Sequence, residues 1–185
     1  NLKTPDALKH IRNSLGAGSV PEKQMAFAAL GGLNSGEADR ILDEWMKRLI
    51  AGNLAGPLQL DVLESAERRE SKGLRKRVKD YQRKVNAGGE FAPWKVALSG
   101  GNAERGQEIF KSRRDVQCSR CHKIDGSGGE AGPELTGIGS RQNREYLLEA
   151  LVMPSAKIAE GFDNVQLELN GGPQDGGSEF SGVVK

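Results

Sequence analysis

The only two cysteines of this chain stand two residues apart with a histidine directly after them, in the run Cys118-Ser119-Arg120-Cys121-His122. That spacing constrains the surrounding fold more than any other feature. Two thiols on one short turn can each add to a vinyl group of the same porphyrin, and the adjoining imidazole can then swing beneath the iron. This is the attachment pattern of a c-type haem. Three other readings compete. A redox dithiol sits after a strand and at a helix N-terminus in a βαβ pattern, and no such pattern flanks Cys118. A structural zinc takes four ligands, and after Cys118, Cys121 and His122 only the remote His10 remains. A chance match is the third.

Composition fits a domain completed by a cofactor. Hydrophobic residues make up 36% of the 185 residues and aromatics 5%, with 25 glycines, which is lean for a packed globule that must supply its own core. The length allows one domain or two small ones. No apolar run is long enough to span a bilayer, so a transmembrane segment is not expected. The chain opens at Asn1 directly into helix-like sequence and has no signal peptide, so it reads as a fragment or processed piece. Attachment of haem c takes place outside the bacterial cytoplasm. A periplasmic or exported location is therefore expected, with the signal upstream.

Charge is unevenly spread. Residues 1–87 hold 16 Lys+Arg against 11 Asp+Glu, a balance of +5, and residues 88–185 hold 11 against 14, a balance of −3. Much of the excess lies between Arg68 and Lys84. A solvated helix face is the ordinary reading, and a docking surface for an acidic partner or for the rest of a parent protein is the alternative. Nucleic acid is not expected, because the basic stretch has a single aromatic, Tyr81, and no binding motif.

Periodicity divides the first half into helices. Pro5 to Leu15 places Leu8, Ile11 and Leu15 on one face, and Gly16 to Ser19 breaks it. Pro21 opens a second helix to Leu30, stopped by Gly31-Gly32. Ser35 caps a third, Glu37 to Ile50, with an apolar stripe of Ile41, Leu42, Trp45, Leu49 and Ile50. A fourth spans about Pro57 to Arg69, and a charged fifth Ser71 to Val85. Trp45, Met25 and Met46 are expected in the core and His10 on the surface. Helices joined by short glycine-rich turns resemble the end of an array of HEAT-type repeats, and a small irregular bundle is the alternative. The expected division is a helical domain over 1–87, a linker or latch over 88–99, and a second domain over 100–185. The fold class is mainly α, with a small β-hairpin insertion in the second domain.

Residues 100–163 resemble a class I cytochrome c. Gly106 and Phe110 resemble the G-x-x-x-F of the first cytochrome helix, where the glycine allows a C-terminal helix to cross closely. Gly132-Pro133-Glu134-Leu135-Thr136-Gly137 is similar to the G-P-x-L-x-G loop. There the proline carbonyl accepts a hydrogen bond from the proximal histidine, which here implies Pro133 and His122. A narrower resemblance, over about residues 95–185, is to the haem-binding domain of planctomycetes and Verrucomicrobia. It is carried by the Cys118–His122 run, the Gly128–Gly139 loop, Tyr146-Leu147-Leu148-Glu149, and Pro154 to Phe162. That domain sits at the C-terminus of large proteins, often behind helical repeats.

The resemblance implies Cys118 and Cys121 as the covalent haem attachments, His122 as proximal ligand to the iron, and Pro133 as the group that orients it. The distal ligand stays open. In ordinary class I cytochromes a methionine follows a glycine like Gly161 by three residues, and here that position is Asn164. Val165 to Leu169 instead alternates like a strand, Asn170-Gly171-Gly172 and Gly176-Gly177 supply turns, and Phe180 to Val184 reads as a returning strand. Met153, in Met153-Pro154, is one distal candidate. A methionine beyond Lys185 is another, since in the narrower family it follows the β insertion and the chain reads as truncated before it. An open site, or another ligand, is the third. Electron transfer is the leading function, with redox proteins or an upstream dehydrogenase module of the same polypeptide as partners. By itself such a chain is a carrier and no catalytic residue is assigned. The alternatives are a catalytic or gas-binding haem with an open distal site, and a helical scaffold carrying an accessory haem.

Overall fold

The computed structural model describes residues 4–168 and 179–183. The chain divides into two units, Asn1–Asn102 and Ala103–Lys185. In the first, apolar residues at helical spacing produce α1 (Thr4–Ala17), α2 (Val20–Gly32), α3 (Gly36–Ala51), α4 (Gly56–Glu67) and α5 (Lys72–Asn86). Their ends follow capping chemistry. The Glu22 carboxylate in the first turn of α2 accepts from the Ser19 amide and hydroxyl at 2.6 and 2.7 Å. The Ser35 hydroxyl accepts from the Glu37 amide at 3.2 Å, and Gly52 closes α3 in the left-handed region at φ 77°.

Each of α2 and α3 packs on the helix two further along, α2 on α4 and α3 on α5, while α1 lies on α2 and α3 also meets α4. The core they enclose has Phe27, Leu30, Leu42, Met46, Val62 and Leu74 at its centre, all fully buried. The Phe27 and Trp45 rings meet edge-to-face, their centroids 5.1 Å apart. Asp39 and Asp43, one turn apart on α3, reach across to Arg69 and Arg77, each at 2.7 Å.

Two residues depart from the sequence reading. Gly31 is no simple stop, because α2 continues to Gly32. A Cβ at Gly31 would stand 3.2 Å from the Cα of Ser65, so the missing side chain is what lets α2 approach α4. Met25 is 65% exposed, whereas Met46 is fully buried. Met25 lies on the face of α2 opposite Phe27 and Leu30, and composition alone does not distinguish the two faces. His10 is exposed and Trp45 half-buried. Within 88–99, set apart above as a linker, Ala92–Ala97 forms a 3-10 helix that buries Val96 and packs on α4 and α5.

The second unit contains α6 (Ala103–Ser112), the single turn α7 (Cys118–Cys121), α8 (Ile138–Arg141) and α9 (Arg144–Val152). Strands β1 (Lys123–Ile124) and β2 (Ser127–Gly128) form a tight antiparallel hairpin, with Ile124 opposite Ser127. Its two turn residues, Asp125 and Gly126, both have positive φ, at 49° and 77°. An Asp-Gly step is a strong signal for such a turn, and it is the hairpin that the sequence reading passed over. The expected insertion forms as β3 (Asn164–Glu168) paired antiparallel with β4 (Glu179–Val183), Leu167 opposite Phe180. The turns expected at 170–172 and 176–177 lie outside the described residues. The fold is mainly α with small hairpins, as its composition and periodicity indicate.

Candidate functional site

The Cys118–His122 run forms one helical turn and its exit. Gln117 enters α7 from the left-handed region at φ 47°, and the His122 amide closes the turn on the Cys118 carbonyl at 3.0 Å. Cys118 is half-buried and Cys121 exposed, both as free thiols on the same turn. His122 then leaves in extended conformation, at φ −104° and ψ 134°.

The glycine loop is strapped along this run by three backbone hydrogen bonds. The amides of Gly129, Gly132 and Leu135 donate to the carbonyls of Ser119, Cys121 and Lys123, at 3.0, 2.7 and 2.8 Å. Such close strapping explains the glycines. A Cβ on Gly129 would collide with the Arg120 carbonyl, and one on Gly128 with the His122 carbonyl. A Cβ on Gly132 would stand 2.7 Å from Cε1, 2.9 Å from Nδ1 and 3.1 Å from Nε2 of His122, so the ring packs directly against this glycine.

His122 Nδ1 lies 2.8 Å from the Pro133 carbonyl oxygen. A carbonyl can only accept, so Nδ1 carries the proton and donates, and the lone pair belongs to Nε2. The partner thus selects the tautomer and holds the ring's rotation, the arrangement a metal-ligating imidazole requires. Further contacts hold the loop behind Pro133. Arg141 donates to the carbonyls of Thr136 and Glu134 at 2.6 and 3.4 Å. The Thr136 hydroxyl accepts from the Asp125 amide at 2.8 Å and donates to Glu134 at 2.7 Å. Lys123 pairs with Glu130, which raises the lysine's pKa.

Met153 is carried by a different element. It caps the C-terminus of α9, its amide donating to the Glu149 carbonyl at 2.7 Å and its carbonyl accepting from Ala156 at 2.9 Å. The structure therefore brings Cys118, Cys121, His122 and Pro133 together, and ties Met153 by its backbone to the end of α9. A Cβ at Gly106 would meet no atom within 4 Å, so no described residue makes the close crossing that the resemblance implies there. Gly132, which touches the histidine ring directly, was part of a recognised loop but not singled out. Only its distance to His122 in space reveals it.

Do these residues fit a covalent haem? The donor set does, with two thiols and an imidazole that offers Nε2 from one turn. So does the packing. Between residues 103 and 163 no side chain is buried, although Ile109, Phe110, Ile124, Leu135, Ile138 and Leu148 are all partly sheltered. None of these apolar groups is buried by the protein's own atoms, and a large flat apolar group would complete a core for them.

Residues 103–176 match the protein-family model described as Cytochrome c. No curated protein and no solved structure matches the chain. The second unit thus carries a cytochrome c domain, its cofactor is covalently bound haem c with iron, and its general chemistry is electron transfer.

Proposed function

We propose, starting from that cytochrome c domain, that the chain is an electron-transfer module. It holds haem c through thioethers to Cys118 and Cys121 and binds the iron through Nε2 of His122. The observation that carries this reading is the 2.8 Å contact between His122 Nδ1 and the Pro133 carbonyl. It leaves Nε2 as the only ring nitrogen free to ligate. When bound, haem iron supplies a one-electron couple, and the protein's axial ligands and burial tune its potential. The residues of this chain act by position. Gly132 and Pro133 hold the imidazole, Arg141 holds the loop behind them, and the apolar groups from α6 to α9 exclude water from the ring. Met153 is the candidate within the chain for the second axial position.

The module passes electrons from a dehydrogenase, in the same polypeptide or a partner, to another redox protein, in a periplasmic or exported setting. The β3–β4 hairpin following Gly161 favours the narrower planctomycete-type resemblance. The packing of α2 on α4 and α3 on α5 favours a HEAT-like stack for the helical unit.

Attachment is tested on a denaturing gel stained for haem. Cys118→Ala with Cys121→Ala must lose the stain, and His122→Ala must lose the low-spin spectrum. Carrier function is tested by rapid mixing with a protein oxidant and, separately, with peroxide and carbon monoxide. Rapid one-electron exchange with slow peroxide turnover is expected. Peroxide turnover that outpaces electron exchange would overturn the carrier reading in favour of a catalytic haem. Met153→Ala should open the iron to carbon monoxide if Met153 ligates, and an unchanged rate removes it as the ligand.

A further inference from the structure

We propose that the outer face of α5 is a docking surface for an acidic protein, one that presents a row of carboxylates. α5 divides cleanly. Leu74, Val78 and Tyr81 face the core and are buried, while Lys72, Arg75, Lys76, Lys79 and Arg83 are exposed. Positions 72, 75, 76, 79 and 83 follow one another at helical spacing, so these cations form a stripe repeating about every 5.4 Å along the helix. The first four line an open hollow of about 490 Å³.

Little within the chain neutralises this stripe. Among the described residues its only carboxylate is Asp80, shared between Lys76 and Arg83, each at 2.8 Å. Arg75 turns to the Glu70 carbonyl, a neutral partner. Among the described residues Lys72 and Lys79 have no carboxylate partner. Arg77, by contrast, is set round the helix toward Asp43 at 2.7 Å, so its charge is spent on α3. The helical half also carries a balance of +5, a field that draws an anionic surface in and aligns it before contact.

The same face argues for protein over the other polyanions. Single-stranded nucleic acid is held by aromatic platforms beside the cations, and the one aromatic of α5, Tyr81, is buried in the core, where burial raises its pKa. Membrane surfaces take an apolar edge alongside basic residues, and no apolar side chain of α5 is exposed. What remains is a rigid, polar, positively charged helix face, which suits carboxylates arranged on another folded protein.

The full chain is titrated against a fluorescently labelled poly-L-glutamate peptide by anisotropy, at low and at physiological salt. Binding that weakens steeply with salt is expected. In the variant Lys72→Gln/Arg75→Gln/Lys76→Gln/Lys79→Gln, four exposed ion pairs are lost, each contributing a factor of about two, so affinity should fall more than about tenfold. A control variant, Lys9→Gln/Lys23→Gln/Arg40→Gln/Arg48→Gln, removes the same charge elsewhere on the unit and should retain most of the affinity. Circular dichroism checks that both variants keep their helices. Equal losses in the two variants would overturn the proposal, since net charge and not the stripe would then be responsible. Tighter binding of duplex DNA, or of phosphatidylserine vesicles, than of poly-glutamate would overturn it as well.

Discussion

Replacing Gly132 by alanine tests how the protein controls its histidine. Gly132 does not occupy the left-handed region, so alanine introduces no backbone strain, and the effect isolates one contact. The new Cβ would stand 2.7 Å from Cε1 and 2.9 Å from Nδ1 of His122, where ordinary van der Waals contact lies at 3.4–4 Å. Relief requires the ring to retreat by roughly 1 Å, because van der Waals repulsion rises steeply at such distances. Retreat lengthens the 2.8 Å bond from Nδ1 to Pro133 beyond hydrogen-bonding range. That bond is worth about 1 kcal/mol. With His122 as the proposed ligand, it would make Nε2 a stronger donor and so favour the oxidised iron. If about 1 kcal/mol is lost from the oxidised state alone, the reduction potential rises by about 40 mV, given 59 mV per tenfold for one electron. Spectroelectrochemical titration of wild type and Gly132→Ala, with haem content matched by gel staining, measures the shift. An unchanged potential in a fully loaded variant would refute the claim that this glycine sets the ring's position.

Three further predictions concern the helical unit. Met46→Ala should lower stability by about 2–5 kcal/mol, as loss of a fully buried side chain does, whereas Met25→Ala should change it by less than about 0.5 kcal/mol; denaturant unfolding of the full chain compares them. Gly31→Val forces two backbones apart where a Cβ already meets Ser65 Cα at 3.2 Å, and should cost about 1–3 kcal/mol by overpacking, read as a drop in Tm. Partial burial pushes the Asp43 carboxyl up, but the hydrogen bonds and charges of Lys47 and Arg77 outweigh it and hold the group below its ordinary value. A carboxylate depressed in the folded state stabilises above its unfolded pKa of about 4. Stability should therefore fall as pH drops through the folded value, and Asp43→Asn should flatten that acid limb in a pH series of thermal melts.

Much of this molecule is legible locally. The five helices of the first unit follow from apolar spacing, Ser35 and Gly52, because caps and amphipathic periodicity act over one or two turns. The cofactor is legible in five residues, since two thiols and an imidazole stand together in one short run. The Asp125-Gly126 hairpin was equally local, yet its two-residue strands were too short to register as an apolar pattern. Other features were beyond local reading. Met25 and Met46 are the same residue type, and the packing of the helices decides that Met46 is buried and Met25 exposed.

The sequence by itself determined the cofactor, the turn that carries two thiols and an imidazole, and the order of the helices, because each depends on residues a few positions apart whose chemistry is complete without the rest of the chain. Tertiary structure decided the rest. The proton on His122 sits at Nδ1 because the Pro133 carbonyl, eleven residues on, comes within 2.8 Å. Gly31 and Gly132 earn their identity from Ser65 and His122, atoms brought near by packing and not by spacing. Close approach between distant segments is a property of the folded backbone, and the tautomer and tilt of the histidine are set there.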